Sequence, residues 1–190
     1  MKKKILIIII IIAIAVLCCS YMFFTPNPTK NNSGGAIISD NGTLDNHQDI
    51  WKKYSNVELS YANDGTHFDG TNNESNGVFL VSNKKELFIN PLQDFTIEMD
   101  FKTSNLMAFY FIQSLESNGN TYIIPDMGYN KLHHLKFAYS KSTKDIDFFI
   151  DGKLKKTVPS NFTDSSVGFK IIDWQGDMDI VISNVTVYNK

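Results

Sequence analysis

The sequence predicts an all-β domain over residues 50–190, a sandwich of two antiparallel sheets, preceded by one N-terminal transmembrane helix. Three observations carry the sandwich. From about Trp51 apolar and polar residues alternate with period two, turn signals recur every eight to twelve residues, and no stretch beyond Phe24 holds a helical period over ten residues.

The helix comes first. Lys2, Lys3 and Lys4 precede Ile5–Phe24, a run in which only Ser20 and Tyr21 carry a hydroxyl. About 20 residues rising about 1.5 Å each span about 30 Å, the thickness of a bilayer's hydrocarbon core. The next basic residue is Lys30, so the positive-inside rule leaves residues 1–4 as a cytoplasmic tip and everything from Thr25 outside. Two other readings stand beside this uncleaved signal anchor: a signal peptide cut after Ser20, and a lipoprotein modified at Cys18. The apolar character continuing through Phe24 argues against the first and Leu17 before the cysteine against the second. The anchor places the protein in the cell membrane, single-pass, with its domain extracytoplasmic.

Residues 25–49 are polar, broken by Pro26, Pro28 and the Gly34-Gly35 pair, with Ala36-Ile37-Ile38 as their only apolar patch. They read as a flexible stalk spanning on the order of 25–30 Å. Over residues 50–190 the net charge is −3, too weakly acidic to grip nucleic acid. All 18 basic residues of the chain are Lys, which removes the bidentate guanidinium clamp for carboxylates and phosphates. Cys18 and Cys19 both lie in the apolar run, so the domain has no disulfide and is held by its core.

Phe95, Ile97, Met99 and Phe101 share one face of a strand, while Thr96, Glu98, Asp100 and Lys102 share the other. Leu135-x-Phe137-x-Tyr139, Ile146-x-Phe148-x-Ile150 and Val167-x-Phe169-x-Ile171 repeat the pattern. Asp151-Gly152 predicts a tight type I′ hairpin turn. In the last strand Ile180 and Ile182 are out of phase with Val185 and Val187, which predicts a bulge near Ser183 and Asn184. Tyr110 and Phe149 make both faces of their strands aromatic; such strands are either central and covered on both sides, which is the expectation, or line a concave groove.

The run HHLKFAYSKSTKDIDFFIDGKLKK (residues 133–156), with VGFKIIDWQGDMDIVISNVTVY (residues 167–188), resembles the carboxyl half of the concanavalin A-like, laminin-G-like jelly rolls. His67-Phe68-Asp69-Gly70 and Asp94-Phe95-Thr96-Ile97 fit the same pattern, so the resemblance covers most of residues 68–188. It implies a jelly-roll sandwich. Members of that superfamily bind glycans, calcium or proteins, or hydrolyse polysaccharides, and the shared fold does not choose among these.

Glu98-Met99-Asp100 is similar to the Glu-x-Asp-x-Glu strand of the β-glucanases in that superfamily, where two carboxylates serve as nucleophile and acid/base. Lys102 stands where the final Glu would be, so the expectation is a non-enzyme. His133 and His134 point to opposite faces and cannot chelate one metal together. Asp69, Asn73 and Glu74 offer oxygen ligands for calcium, the one cofactor the sequence suggests, although the loop is no EF-hand. Trp174, bracketed by Asp173 and Asp177, is the candidate platform for a sugar ring, with Asp173, Glu98 and Asp100 as polar neighbours. The expected function is a non-catalytic, glycan-binding or adhesive module. The competing expectation is an interaction or structural domain whose partner is a cell-surface or envelope protein.

Overall fold

The computed structural model describes residues 36–54, 57–70, 77–80, 89–112, 121–163, 166–173 and 178–189, all within a compact unit running from Gly34 to Lys190. The predicted membrane helix and cytoplasmic tip, with Trp174, Asn73 and Glu74, lie outside the described residues. Among the described residues there are 13 strands and no helix.

Every strand pairing is antiparallel, and the strands form two sheets. The larger has eight: β11 (Lys153–Pro159), β10 (Asp145–Ile150), β9 (His133–Ser140), β6 (Phe95–Thr103), β13 (Met178–Asn189), β4 (Gly65–Gly70) and β3 (Val57–Ala62) in that order, with β1 (Ala36–Asp40) also on β13. The smaller runs β2 (Trp51–Tyr54), β5 (Gly77–Leu80), β12 (Gly168–Asp173), β7 (Met107–Ile112) and β8 (Thr121–Ile123). The chain crosses from sheet to sheet repeatedly, so most neighbours within a sheet are distant in sequence.

The alternating residues meet between the sheets. Phe95, Ile97, Met99 and Phe101 of β6 are fully buried, as are Leu135 and Phe137 of β9 and Phe109, Phe111, Phe169 and Ile171 of the smaller sheet. Their rings interlock across the gap: Phe109 lies 5.3 Å from Phe101 and 5.1 Å from Phe137, and Phe111 lies 5.7 Å edge-on from Phe137. Such offset and edge-to-face pairs add about 0.5–1.5 kcal/mol each beyond area burial. With no disulfide in the domain, this aromatic layer is the main cohesion.

The hairpin turn and the bulge appear where the residue pattern puts them. Asp151 and Gly152 take φ of 51° and 74°, joining Ile150 to its partner Lys153. In β13 the register against β6 shifts between Ser183 and Thr186, with Asn184 at φ 52°. The extra residue reverses the alternation, so that Ile180, Ile182, Val185 and Val187 all face the core. Gly65 opens β4 at φ +142°; a Cβ there would come within 2.5 Å of the Ile182 carbonyl oxygen, which only glycine avoids.

Two expectations need correction. The stalk does not extend to residue 49: Ala36–Asp40 pairs with the carboxyl half of β13, and Ile38 is buried. A short apolar patch too weak to order itself is ordered by an edge offering a strand partner and an open part of the core. Nor are the doubly aromatic strands covered on both sides, since Tyr110 and Phe149 are both partly exposed.

Candidate functional site

The outer face of the larger sheet carries the carboxylates singled out in the sequence. With Ile97, Met99 and Phe101 inward, alternation turns Glu98, Asp100 and Lys102 outward. Register then sets Lys136 beside Glu98 and His134 beside Asp100 on β9. Glu98 accepts from Lys136 Nζ at 3.2 Å. Asp100 accepts from His134 Nδ1 at 2.9 Å and, on its other oxygen, from Asn184 Nδ2 at 2.7 Å. The β13 bulge is what aims Asn184 at that carboxylate. Lys136 also lies 5.9 Å over the Phe149 ring. At this point of the face Glu98 and Asp100 are both already engaged in cross-strand pairs.

The two histidines divide as alternation requires. His134 is exposed, while His133 is buried against the core with Nδ1 donating to Asp151 Oδ2 at 2.8 Å. That bond, and a second from the His134 amide at 3.0 Å, hold the Asp151 carboxyl below its ordinary range. Asp69 is exposed, opposite Asp179 and Glu58 in register. Among the described residues no three His, Cys, Asp or Glu side chains converge to hold a metal ion.

The outer face of the smaller sheet is different in kind. Tyr110 of β7 pairs in register with Tyr122 of β8, and the rings stack at 5.7 Å with 28° between their planes. Tyr122 is 52% exposed. Lys170 of β12 sits opposite Tyr110 on its other flank, followed by the partly exposed Ile172 on the same strand face. Burial, and then the nearby Tyr122, push the Tyr110 phenol above its ordinary range. Burial alone pulls the Lys170 ammonium below its own. A stacked pair of phenols beside a half-desolvated cation can receive the C–H face of a sugar ring and donate to its hydroxyls.

Glu98 and Asp100 therefore do not join Asp173 in one site. They belong to β6 of the larger sheet, whereas Asp173 ends β12 of the smaller one. Tyr122 and Lys170 were missed as site residues. Lys170 had a signal, being out of phase with Phe169 and Ile171; Tyr122 had none, because its meeting with Tyr110 depends on a pairing the alternation does not specify.

No family model matches the sequence. No curated protein matches it either. Solved structures do resemble it in fold. The carbohydrate recognition domain of Emp47p gives a TM-score of 0.56 at 12% identity over 82% of this chain and 96% of that one. The binding domain of botulinum neurotoxin DC, solved with rat synaptotagmin II, gives 0.52 at 14% over 80% and 48%. The Crh5 transglycosylase gives 0.51 at 10% over 80% and 83%. The chain spans about half the length of the toxin binding domains it matches. At these identities the likeness establishes the fold alone, a two-sheet antiparallel β-sandwich shared by binding domains and an enzyme alike.

Proposed function

We propose that this chain is a membrane-anchored, extracytoplasmic binding module of jelly-roll architecture that recognises glycans and performs no catalysis. The observation that carries this reading is the Tyr110–Tyr122 stack, open to solvent and flanked by Lys170 on the outer face of the smaller sheet. Buried cores use aromatic pairs for cohesion, but a half-exposed pair on an outer sheet face is the kind of platform on which sugar rings stack. Asp173, the last residue of β12, and Trp174, the next in the chain, are the sequence candidates included in this reading. Likeness in fold to a carbohydrate recognition domain is in keeping with this.

The absence of catalysis is argued from the β6 strand. Lys102 replaces the final acid, and Glu98 and Asp100 are committed to Lys136, His134 and Asn184. Calcium through Asp69, Asn73 and Glu74 is the one metal the reading admits. Attachment rests on residues 5–24, with residues 25–33 as the remaining spacer.

Screening the full-length chain in mild detergent on a neutral-glycan array tests the proposal. Binding that Tyr110→Ala, Tyr122→Ala or Trp174→Ala weakens is the expected result; no binding to any glycan, or binding that all three variants retain, refutes it. A second reading, recognition of a protein partner, is favoured by one feature: exposed Leu154 pairs with half-exposed Phe149 at the edge of the larger sheet. Under that reading Leu154→Asp, and not the tyrosine variants, abolishes capture of the partner.

A further inference from the structure

Strand β11 reads Lys153-Leu154-Lys155-Lys156 and lies at the edge of the larger sheet. Its register with β10 contains an irregularity: Phe149 faces Leu154, but Phe148 faces Lys156, leaving Lys155 as an extra residue. Without this bulge Lys155 would stand opposite Phe148. With it, Lys156 takes the row of the fully buried Phe148 and Phe137, on the core-facing side of the sheet. Inward-turned lysines on an edge strand discourage edge-to-edge association, and that role alone would account for their being there.

It does not account for what lies beneath them. The segment following β8 sets Ile124, Pro125 and Asp126 against this edge, forming with Phe148, Lys155 and Lys156 a solvent-open cavity of about 270 Å³. That volume is room for about nine waters, just under the range of about 300–1,000 Å³ usual for drug-sized ligands and enough for a single sugar ring. Ile124, Pro125 and Phe148 form an apolar wall. Two ammonium groups and one carboxylate leave the rim with one net positive charge. Among the described residues the side chains of Lys155, Lys156 and Asp126 make no hydrogen bond or ion pair.

We infer that this cavity is a second binding site, for a monosaccharide unit carrying one carboxylate, of the uronic acid class. The lysines bind the carboxylate as point charges, Asp126 accepts from a ring hydroxyl, and the apolar wall takes the C–H face of the ring. The Asp126 carboxylate, which repels a bare inorganic anion, is what selects a hydroxylated one. The cavity lies between β11 and the segment leaving β8, two residues beyond Tyr122 in the chain, and is lined by neither Tyr110 nor Tyr122.

Calorimetric titration of the full-length chain in mild detergent with glucuronic acid, glucose and sodium sulfate tests this. Glucuronic acid is expected to bind, glucose not to, and sulfate at least tenfold more weakly than glucuronic acid. A Lys155→Glu/Lys156→Glu protein should lose at least tenfold in glucuronic acid affinity, and Asp126→Asn should narrow the preference over sulfate. All of these side chains are exposed, so melting temperatures should match the parent's. In the unmodified protein, glucuronic acid should shift the NMR signals of Ile124 and Phe148. Equal affinity for sulfate, equal affinity for glucose, glucuronic acid binding that survives the double lysine change, or unshifted Ile124 and Phe148 signals would each overturn the assignment.

Discussion

On the outer face of the larger sheet the charged side chains at the centre meet partners on the next strand: Glu98 with Lys136, and Asp100 with His134 and Asn184. On the outer face of the smaller sheet the central residues are Tyr110, Tyr122 and Lys170, two stacked phenols and a cation partly stripped of water. The faces rest on opposite sides of one aromatic core, and their sequences alternate in the same way. The difference teaches that alternation assigns a residue to a side of the sheet, whereas register decides whether it is satisfied there. A carboxylate beside an ammonium is finished business, while an aromatic beside an aromatic at the surface still has a ring face to offer.

The largest effect should come from removing what both faces share. Phe137→Ala takes a fully buried ring from between the sheets, touching Phe109, Phe111, Phe148 and Phe169, and is expected to cost about 3–5 kcal/mol in denaturant unfolding. A loss under about 1 kcal/mol would mean the sheets do not pack as described. Next comes Tyr122→Ala, expected to weaken glycan binding about tenfold, or 1.4 kcal/mol, with little change in melting temperature. Smaller still, Asp100→Ala should cost about 0–1 kcal/mol of stability, because its pairs are partly exposed, and should leave glycan binding unchanged.

The weakest effects separate the sheets by pH. Asp151, at the turn of the larger sheet, has a folded pKa below its unfolded value of about 3.9. Its contribution is present above that value and is lost as pH falls through the folded one, so Asp151→Asn should flatten the acid limb of the stability curve. Lys170 of the smaller sheet has a folded pKa below the usual value of about 10.4. The unfolded chain keeps that proton to higher pH, so stability rises as pH climbs through the folded value, and Lys170→Met should abolish the rise. Thermal melts across both limbs check the pair of signs.

Much of the fold was legible. Phe95 to Phe101, the Asp151-Gly152 turn and the phase break before Val185 are local signals, and each has its counterpart in the structure. Strand β1 was not, because Ile38 is buried only by the accident of where β13 has an open edge. The candidate site was legible in part. Alternation put Glu98 and Asp100 outward but could not tell that His134, Lys136 and Asn184 would occupy them. Tyr110 stood out; Tyr122, brought to it by pairing across a long connection, did not.

The central claim is that the aromatic face, not the charged one, meets the ligand. The most direct measurement compares two double variants of the full-length chain on the same glycan array, Tyr110→Ala/Tyr122→Ala and Glu98→Ala/Asp100→Ala. The account predicts that the first loses binding and the second keeps it. Retained binding in the tyrosine variant with loss in the carboxylate variant would contradict it and return the site to β6.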